Sequence, residues 1–286
     1  MKKIIATGVM FWIVVASIAR VNAEVEKSEH FEQTFRFADN KEVTSIIVDN
    51  VFGSIRVTGS DDNEAHLIFD RTIRASGQAK YERALEDIKL DIEHEENSLI
   101  LYVDGPFRCK DGSTNYRGWK HYGYEVQYDI QLKIPVRSDI QLKTINDGDI
   151  FVKRINGKYD IENINGGIEI HDFAGSGRVY ALNGDVDITF SQNPVANSYF
   201  GTLNGDLNLY FQAPFSAELL LKTFNGEVFS DFEVSYLPKK SMIKELDGRK
   251  KVYKFDRKFA VQAGEGGPEI ELDSFNGDIH IYQRES

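Results

Sequence analysis

Glycine recurs through the second half of this chain at fixed spacing, and that spacing restricts it to a repeating β-architecture. Gly148, Gly157, Gly166, Gly175 and Gly184 follow at steps of nine residues. Gly205 and Gly226 follow at steps of 21, and Gly277 closes the series after a longer gap. A period of tens of residues marks stacked supersecondary units. Apolar residues keep step with the glycines. Two positions after come Ile150, Ile168, Val186, Leu207, Val228 and Ile279. Four after come Val152, Ile161, Ile170, Val179, Ile188, Leu209 and Ile281. That alternation is a strand with one buried face. Two before stand Ile155, Ile164, Phe173, Leu182, Leu203, Phe224 and Phe275.

Asn-Gly before most of these strands is a turn signal, since both residues accept positive φ at low cost. Antiparallel hairpins use the same turn. The register nevertheless recurs in one orientation, which predicts parallel stacking. The expectation is an all-β, β-solenoid fold of the single-stranded β-helix type, with coils of 18–21 residues. An antiparallel sandwich or prism is the alternative. The corner residues Asn183-Gly184, Asn204-Gly205, Asn225-Gly226 and Asn276-Gly277 are expected to form a structural turn ladder. The 51 residues between Gly226 and Gly277 exceed one coil, so an insertion is expected near residues 231–262, ahead of a final coil from Glu269 to Tyr282.

The earlier part is less regular. Residues 24–125 read as a β-rich region with one helix over Gln78–Ile88, where Tyr81, Ala84, Leu85 and Ile88 share a face. Gly105–Tyr124 reads as an aromatic loop, and residues 126–286 as the repeat region. Lys2 and Lys3, the apolar run Ile4–Ala19 and the small residues around Ala23 read as a signal peptide over residues 1–23. Arg20 makes that run short for a membrane span of about 20 residues. No later stretch is apolar enough to span a bilayer, so the mature chain is expected to be exported, to the periplasm or the cell surface.

The chain carries 34 basic and 45 acidic residues. Such a balance argues against nucleic acid as a partner. Cys109 is the single cysteine, which rules out an intramolecular disulfide and a multi-thiolate zinc site.

Several segments together resemble the bacterial "putative adhesin" family, built from repeated T-x-N-G-D-I units. They are Val126-Gln127-Tyr128-Asp129-Ile130-Gln131-Leu132-Lys133-Ile134-Pro135, Leu142-Lys143-Thr144-Ile145-Asn146, the Asn-Gly-Asp corners, Gly266-Gly267-Pro268-Glu269-Ile270-Glu271-Leu272 and Phe275-Asn276-Gly277-Asp278-Ile279. The resemblance implies an exported or envelope-associated β-solenoid. It carries no catalytic residues over. The pattern departs at Asp147, one extra residue before Gly148, and at Ala174-Gly175-Ser176, where the Asn is missing.

Candidate sites are few. The loop aromatics Tyr116, Trp119, Tyr122 and Tyr124 suit contact with a protein or a sugar; capping of a sheet edge is the competing role. The acids after the glycines (Asp149, Asp185, Asp206, Glu227, Asp278) are expected to face solvent and accept turn amides, with a calcium-dependent adhesive surface as the alternative. The six histidines lack metal-ligand spacing, and no Gly-x-Ser-x-Gly or phosphate loop is present. The expectation is an interaction or structural module without catalysis, metal or cofactor. Its partner is an envelope protein or glycan, and a homodimer is allowed. A carbohydrate-active enzyme with paired carboxylates is the enzymatic alternative.

Overall fold

A computed structural model describes residues 24–38, 43–110, 113–115, 117–237, 242–247, 250–255 and 259–284, with side chains excepted over 238–258. The expected signal segment, Tyr116 and part of the expected insertion lie outside the described residues. The chain divides into two compact units, one ending at Gly157 and the other starting at Lys158.

The first unit contains β1 (Val25–Arg36), β2 (Thr44–Asp49), β3 (Ile55–Ser60), β4 (Glu64–Ala75), α1 (Gln78–Asp87), β5 (Lys89–Glu95), β6 (Ser98–Asp104), α2 (Trp119–Tyr122), β7 (Tyr124–Pro135), β8 (Ser138–Thr144) and β9 (Ile150–Lys153). β1, β4 and β7 pair antiparallel. β7 then pairs parallel with β3, and β3 with β9. In a second sheet β2 pairs parallel with β6 and β8, while β5 closes antiparallel on β6. Alternate residues face inward: Ile46 and Val48 on β2, Ile55 and Val57 on β3, Leu99 and Leu101 on β6, Ile130 and Leu132 on β7 are buried. Helix α1 covers this core with Tyr81 and Ala84.

The second unit contains β10 (Tyr159–Asn165), β11 (Ile168–Phe173), β12 (Gly177–Asn183), β13 (Val186–Phe190), β14 (Ser198–Asn204), β15 (Leu207–Phe211), β16 (Ala217–Asn225), β17 (Val228–Ser230), β18 (Val234–Leu237), β19 (Met242–Asp247), β20 (Lys250–Phe255), β21 (Phe259–Ala263), β22 (Glu269–Asn276) and β23 (Ile279–Gln283). One sheet runs β11-β13-β15-β23-β17, and another runs β18-β21-β16-β22-β14-β12-β10. Apolar residues align in columns across these strands. Ile168, Val186, Leu207 and Ile279 make one, and Ile170, Ile188, Leu209 and Ile281 a second. Ile161, Val179, Phe200, Leu272 and Leu221 make a third. All thirteen are buried.

The β-solenoid expectation is overturned. The strands form large sheets that mix parallel and antiparallel neighbours: β1-β4-β7, β5-β6 and β16-β21-β18 are antiparallel. Strand order also departs from chain order. β22 and β23, expected as the final coil, lie between β14-β15 and β16-β17. The period shows which residues face inward but not which unit each one packs against.

The residues two before the glycines do not share one environment: Ile155 and Phe173 are buried. Phe224 and Phe275 do not join the core; they are 52% and 41% exposed and stack with ring centroids 4.9 Å apart. At the last three corners the residue before this position carries a hydroxyl that reaches the carbonyl of an adjacent corner. Thr202 Oγ1 donates to the Gly184 carbonyl at 2.8 Å, and Ser274 Oγ to the Gly205 carbonyl at 3.2 Å. This accounts for the hydroxyl in the Thr-x-Asn-Gly pattern: it satisfies a carbonyl of the adjacent corner. The extra residue at Asp147 is absorbed by a left-handed backbone, φ 51, a conformation that Asp tolerates.

Corner glycines are needed for close approach. A Cβ on Gly205 would lie 2.3 Å from the Gly184 carbonyl oxygen, and one on Gly277 only 1.9 Å from that of Gly205. Both obstacles are backbone and cannot swing away. Gly205→Ala is therefore expected to destabilise the chain by about 1–3 kcal/mol, as overpacking does, read as a lowered midpoint in urea unfolding. An unchanged midpoint would show that the corner spacing is not set by glycine.

Candidate functional site

The aromatic loop is held by two residues that the sequence reading passed over. Phe107 is buried. Next to it the Arg108 guanidinium, 7% exposed, reaches Asp49 on β2 with Nη2 to Oδ1 at 2.9 Å and Nη1 to Oδ2 at 3.2 Å. Arg108 also donates from Nε to the Val103 carbonyl at 2.9 Å and from Nη1 to Thr114 Oγ1 at 3.1 Å. Its cation sits 4.3 Å from the Tyr102 ring centre. A planar fork with this many donors suits such an anchor better than lysine does. The backbone closes the turn through Cys109 N–H to the Ser113 carbonyl and Asn115 N–H to the Phe107 carbonyl.

Beside this anchored loop lies a cleft of about 550 Å³, lined by Lys80, Arg83, Asp87, Pro106, Cys109, Asn115, Arg117, His121, Tyr122 and Tyr124. Lys80, Arg83 and Asp87 share one side of α1 because they are spaced i, i+3, i+7, flanking the buried Tyr81 and Ala84. His121 and Tyr122 come from α2, and Tyr124 opens β7. The His121 ring meets Tyr122 edge-on at 4.8 Å, and Tyr122 lies 5.7 Å from Tyr124. Asp87 is the one acid in the lining. Its Oδ2 accepts the Tyr124 hydroxyl at 2.5 Å and Arg83 Nε at 3.1 Å. Burial, and then the hydrogen bond to Asp87, push the Tyr124 hydroxyl well above the ordinary tyrosine pKa, so it stays a donor. Lys80 and Arg117 leave the cleft with an excess of positive groups in an acidic chain.

Of the four loop aromatics, the structure brings Tyr122 and Tyr124 together here. Trp119 turns to a separate hollow of about 210 Å³, lined by Glu24, Val25, Glu26, Arg74 and Glu125. Burial first, and then Asp147, raise the pKa of Glu125 there, with Arg74 acting against the shift. Lys80, Arg83 and Asp87 lie on the polar stripe of the one helix read from the sequence, but nothing in that stripe places them beside the loop.

The turn-ladder residues form a chain of side-chain amides in the second unit. Asn183 Nδ2 donates to Asn165 Oδ1 at 2.8 Å, and Asn204 to Asn183, Asn276 to Asn204 and Asn225 to Asn276 each at 2.7 Å. The acids beside them also act along one direction. Asp185, Asp206 and Asp278 each accept, through Oδ1, the backbone N–H of the next corner's acid at 2.8 Å. Among the described residues no group of three or more His, Cys, Asp or Glu side chains is placed to hold a metal ion. Asp187 lies apart from these turn amides. Burial, and then the nearby Asp185, Glu169 and Asp206, raise its pKa above the ordinary carboxylate value, with a hydrogen bond from Asn208 partly offsetting them.

No family model and no curated protein matches the chain. Among solved structures, a "putative cell adhesion protein" from Clostridium sporogenes ATCC 15579 aligns over 88% of this chain and 99% of that chain. Its identity is 12% and the TM-score 0.42. A "putative adhesin" from Bacteroides fragilis NCTC 9343 aligns over 89% and 97%, at 14% identity and a TM-score of 0.32. A "putative lipid binding protein" from Parabacteroides distasonis ATCC 8503 aligns over 88% and 96%, at 12% identity and 0.29. Alignments this loose carry no functional argument.

Arg108→Ala is expected to cost about 2–3 kcal/mol, the range for charged hydrogen bonds at a mostly buried pair. Because Cys109 is the neighbouring residue and the chain's one thiol, its reaction rate with a thiol reagent should rise in that variant. For Asp187 the folded state holds the proton more tightly than the unfolded chain. Its contribution is intact below the ordinary carboxylate pKa and is lost as pH rises through the raised folded value. Asp187→Asn should accordingly leave the melting temperature unchanged near pH 3 and raise it at pH 7. A gain of the same size at both pH values would remove the electrostatic explanation.

Proposed function

We propose that this chain is an exported cell-envelope interaction module, adhesin-like and without catalysis, that holds an anionic group of its partner in the cleft between α1 and the aromatic loop. One observation carries the reading. Four basic side chains and a single, already bonded acid line that cleft, although acids outnumber bases in the chain as a whole. Tyr122 and Tyr124 add amphipathic rings beside the cations, a combination suited to a carboxylated sugar or an acidic envelope protein. The export part rests on residues 1–23 of the sequence. Among the described residues no helix is long and apolar enough to cross a membrane.

Titration calorimetry with polygalacturonate and with its methyl ester tests the cleft. The acid form should bind and the uncharged ester should not. Arg117→Ala and Lys80→Ala should each weaken binding several-fold, and more so at low ionic strength. Equal binding of the two polymers, or unchanged affinity in both variants, would remove the cleft as the contact surface. An acidic peptide that binds where the polysaccharide does not would identify a protein partner.

A further inference from the structure

The hollow beside Trp119 gathers acids where the first strand begins. Its lining is Glu24, Val25, Glu26, Arg74, Trp119 and Glu125. Strand register brings them together. Glu26 pairs with Arg74, and Arg74 with Glu125, so these three form one row across β1, β4 and β7. The next row is Val25, Ala75 and Tyr124. Glu24 comes one residue before β1 and so lies at the same end of the sheet, where α2 leads into β7 and brings Trp119.

Charge in this hollow is unbalanced. Among the described residues that line it, three carboxylates meet one cation, Arg74. Arg74 Nε lies 3.5 Å from Glu26 Oε1, and its Nη1 lies 3.6 Å from Glu125 Oε1. Those distances bring opposite charges together without a short hydrogen bond. Glu125 is the inner carboxylate, with 20% of its side chain exposed against 60% for Glu26. Arg74 does not cancel what burial and Asp147 do to the Glu125 carboxyl. A second cation at this place would favour its ionised form, and the indole face of Trp119 adds attraction for a cation.

The chain itself supplies such a cation. The expected signal segment ends at Ala23, so its removal cuts the bond to Glu24. Hydrolysis adds water across that amide, leaving a carboxylate on Ala23 and an ammonium on Glu24. An α-amino group has an ordinary pKa of about 7.7–8.0 and is mostly charged at pH 7. We propose that the α-ammonium of Glu24, freed by removal of residues 1–23, docks in this hollow against Glu125 and the Trp119 ring. The proposal rests on the export reading above and adds a role for the cut itself. Before the cut the same nitrogen is an uncharged amide, and the hollow keeps its excess of acid. After it, the contact ties down the free end of β1, where chain termini otherwise fray. It also holds α2, which carries His121 and Tyr122 of the cleft.

N-terminal sequencing of the chain purified after export comes first and should begin at Glu24. Trp119 then reports on the hollow, because Trp12, the other tryptophan, leaves with the signal segment. Its emission is followed from about pH 6 to 9.5, across the α-amino range. Neighbouring carboxylates raise the folded amine pKa, so the contact is intact at pH 7 and is lost as pH rises through the raised value. Emission should change with a midpoint above about 8. Selective acetylation of that amine should abolish the step and lower the melting temperature at pH 7. Glu125→Gln should move the midpoint back towards about 8. A flat profile in the free chain, the same profile after acetylation, or a midpoint unmoved by Glu125→Gln overturns the docking and leaves the export reading standing. An exported chain that starts at another residue overturns it as well. A chain that is neither cut nor exported removes the export reading and this proposal together.

Discussion

The second unit depends on how closely its corners stack. The Gly184 carbonyl occupies space that any side chain on Gly205 would need, and the Gly205 carbonyl does the same to Gly277. This contact sets the spacing at the turn, where strands could otherwise splay. At that spacing each Asn amide reaches the next Asn oxygen at 2.7–2.8 Å. The strands leaving the corner are then in register, and the columns through Ile170 and Phe200 close. Glycine here works by lacking a side chain, and Gly205 and Gly277 also hold positive φ of 157 and 154.

The ladders also explain how an acidic chain tolerates rows of carboxylates. Asp185, Asp206 and Asp278 each accept a backbone N–H at 2.8 Å, a charge-assisted hydrogen bond. Repulsion between neighbours is offset within the turn by these bonds. Asp187 lies apart from these turn amides, and burial disfavours its ionisation. In the first unit the arrangement is reversed. Basic groups gather at the cleft, and Arg83 and Tyr124 occupy its only acid. Neighbouring donors, more than net charge, decide what each carboxylate does.

Much of the β-structure was legible. The residues two and four after each glycine are the buried ones at Ile168, Ile170, Val186, Ile188, Leu207, Leu209, Ile279 and Ile281. Helix α1 ends within a residue of its expected end. A two-residue alternation fixes the face a side chain takes, and a helical stripe fixes its own phase. The solenoid expectation failed because neither signal says which strand lies beside which. Phe224 and Phe275 repeat yet stay exposed, while the hydroxyls of Thr223 and Ser274 before them reach the carbonyls of adjacent corners. At the candidate site the aromatics Tyr122 and Tyr124 were visible as composition. Lys80, Arg83 and Arg117 were not, because they meet only through the packing of α1 against a loop pinned by Arg108 and Asp49.

Polymer physics shows why strand order was the hardest feature to read. Corners in chain order pair residues 21 apart, as Arg178 with Tyr199, whereas Ser198 pairs with Ile270, 72 residues away. Closing a loop of 72 residues instead of 21 costs only about 1 kcal/mol more, because the entropy grows with the logarithm of length. Burying a single leucine or phenylalanine offsets that, and β22 buries both Ile270 and Leu272 between β14 and β16. Chain order is therefore a weak constraint and side-chain fit a strong one. The segment inserted between β17 and β22 lets the last strands reach the inner position, which leaves Lys222–Ser230 at the margin although it comes earlier in the chain.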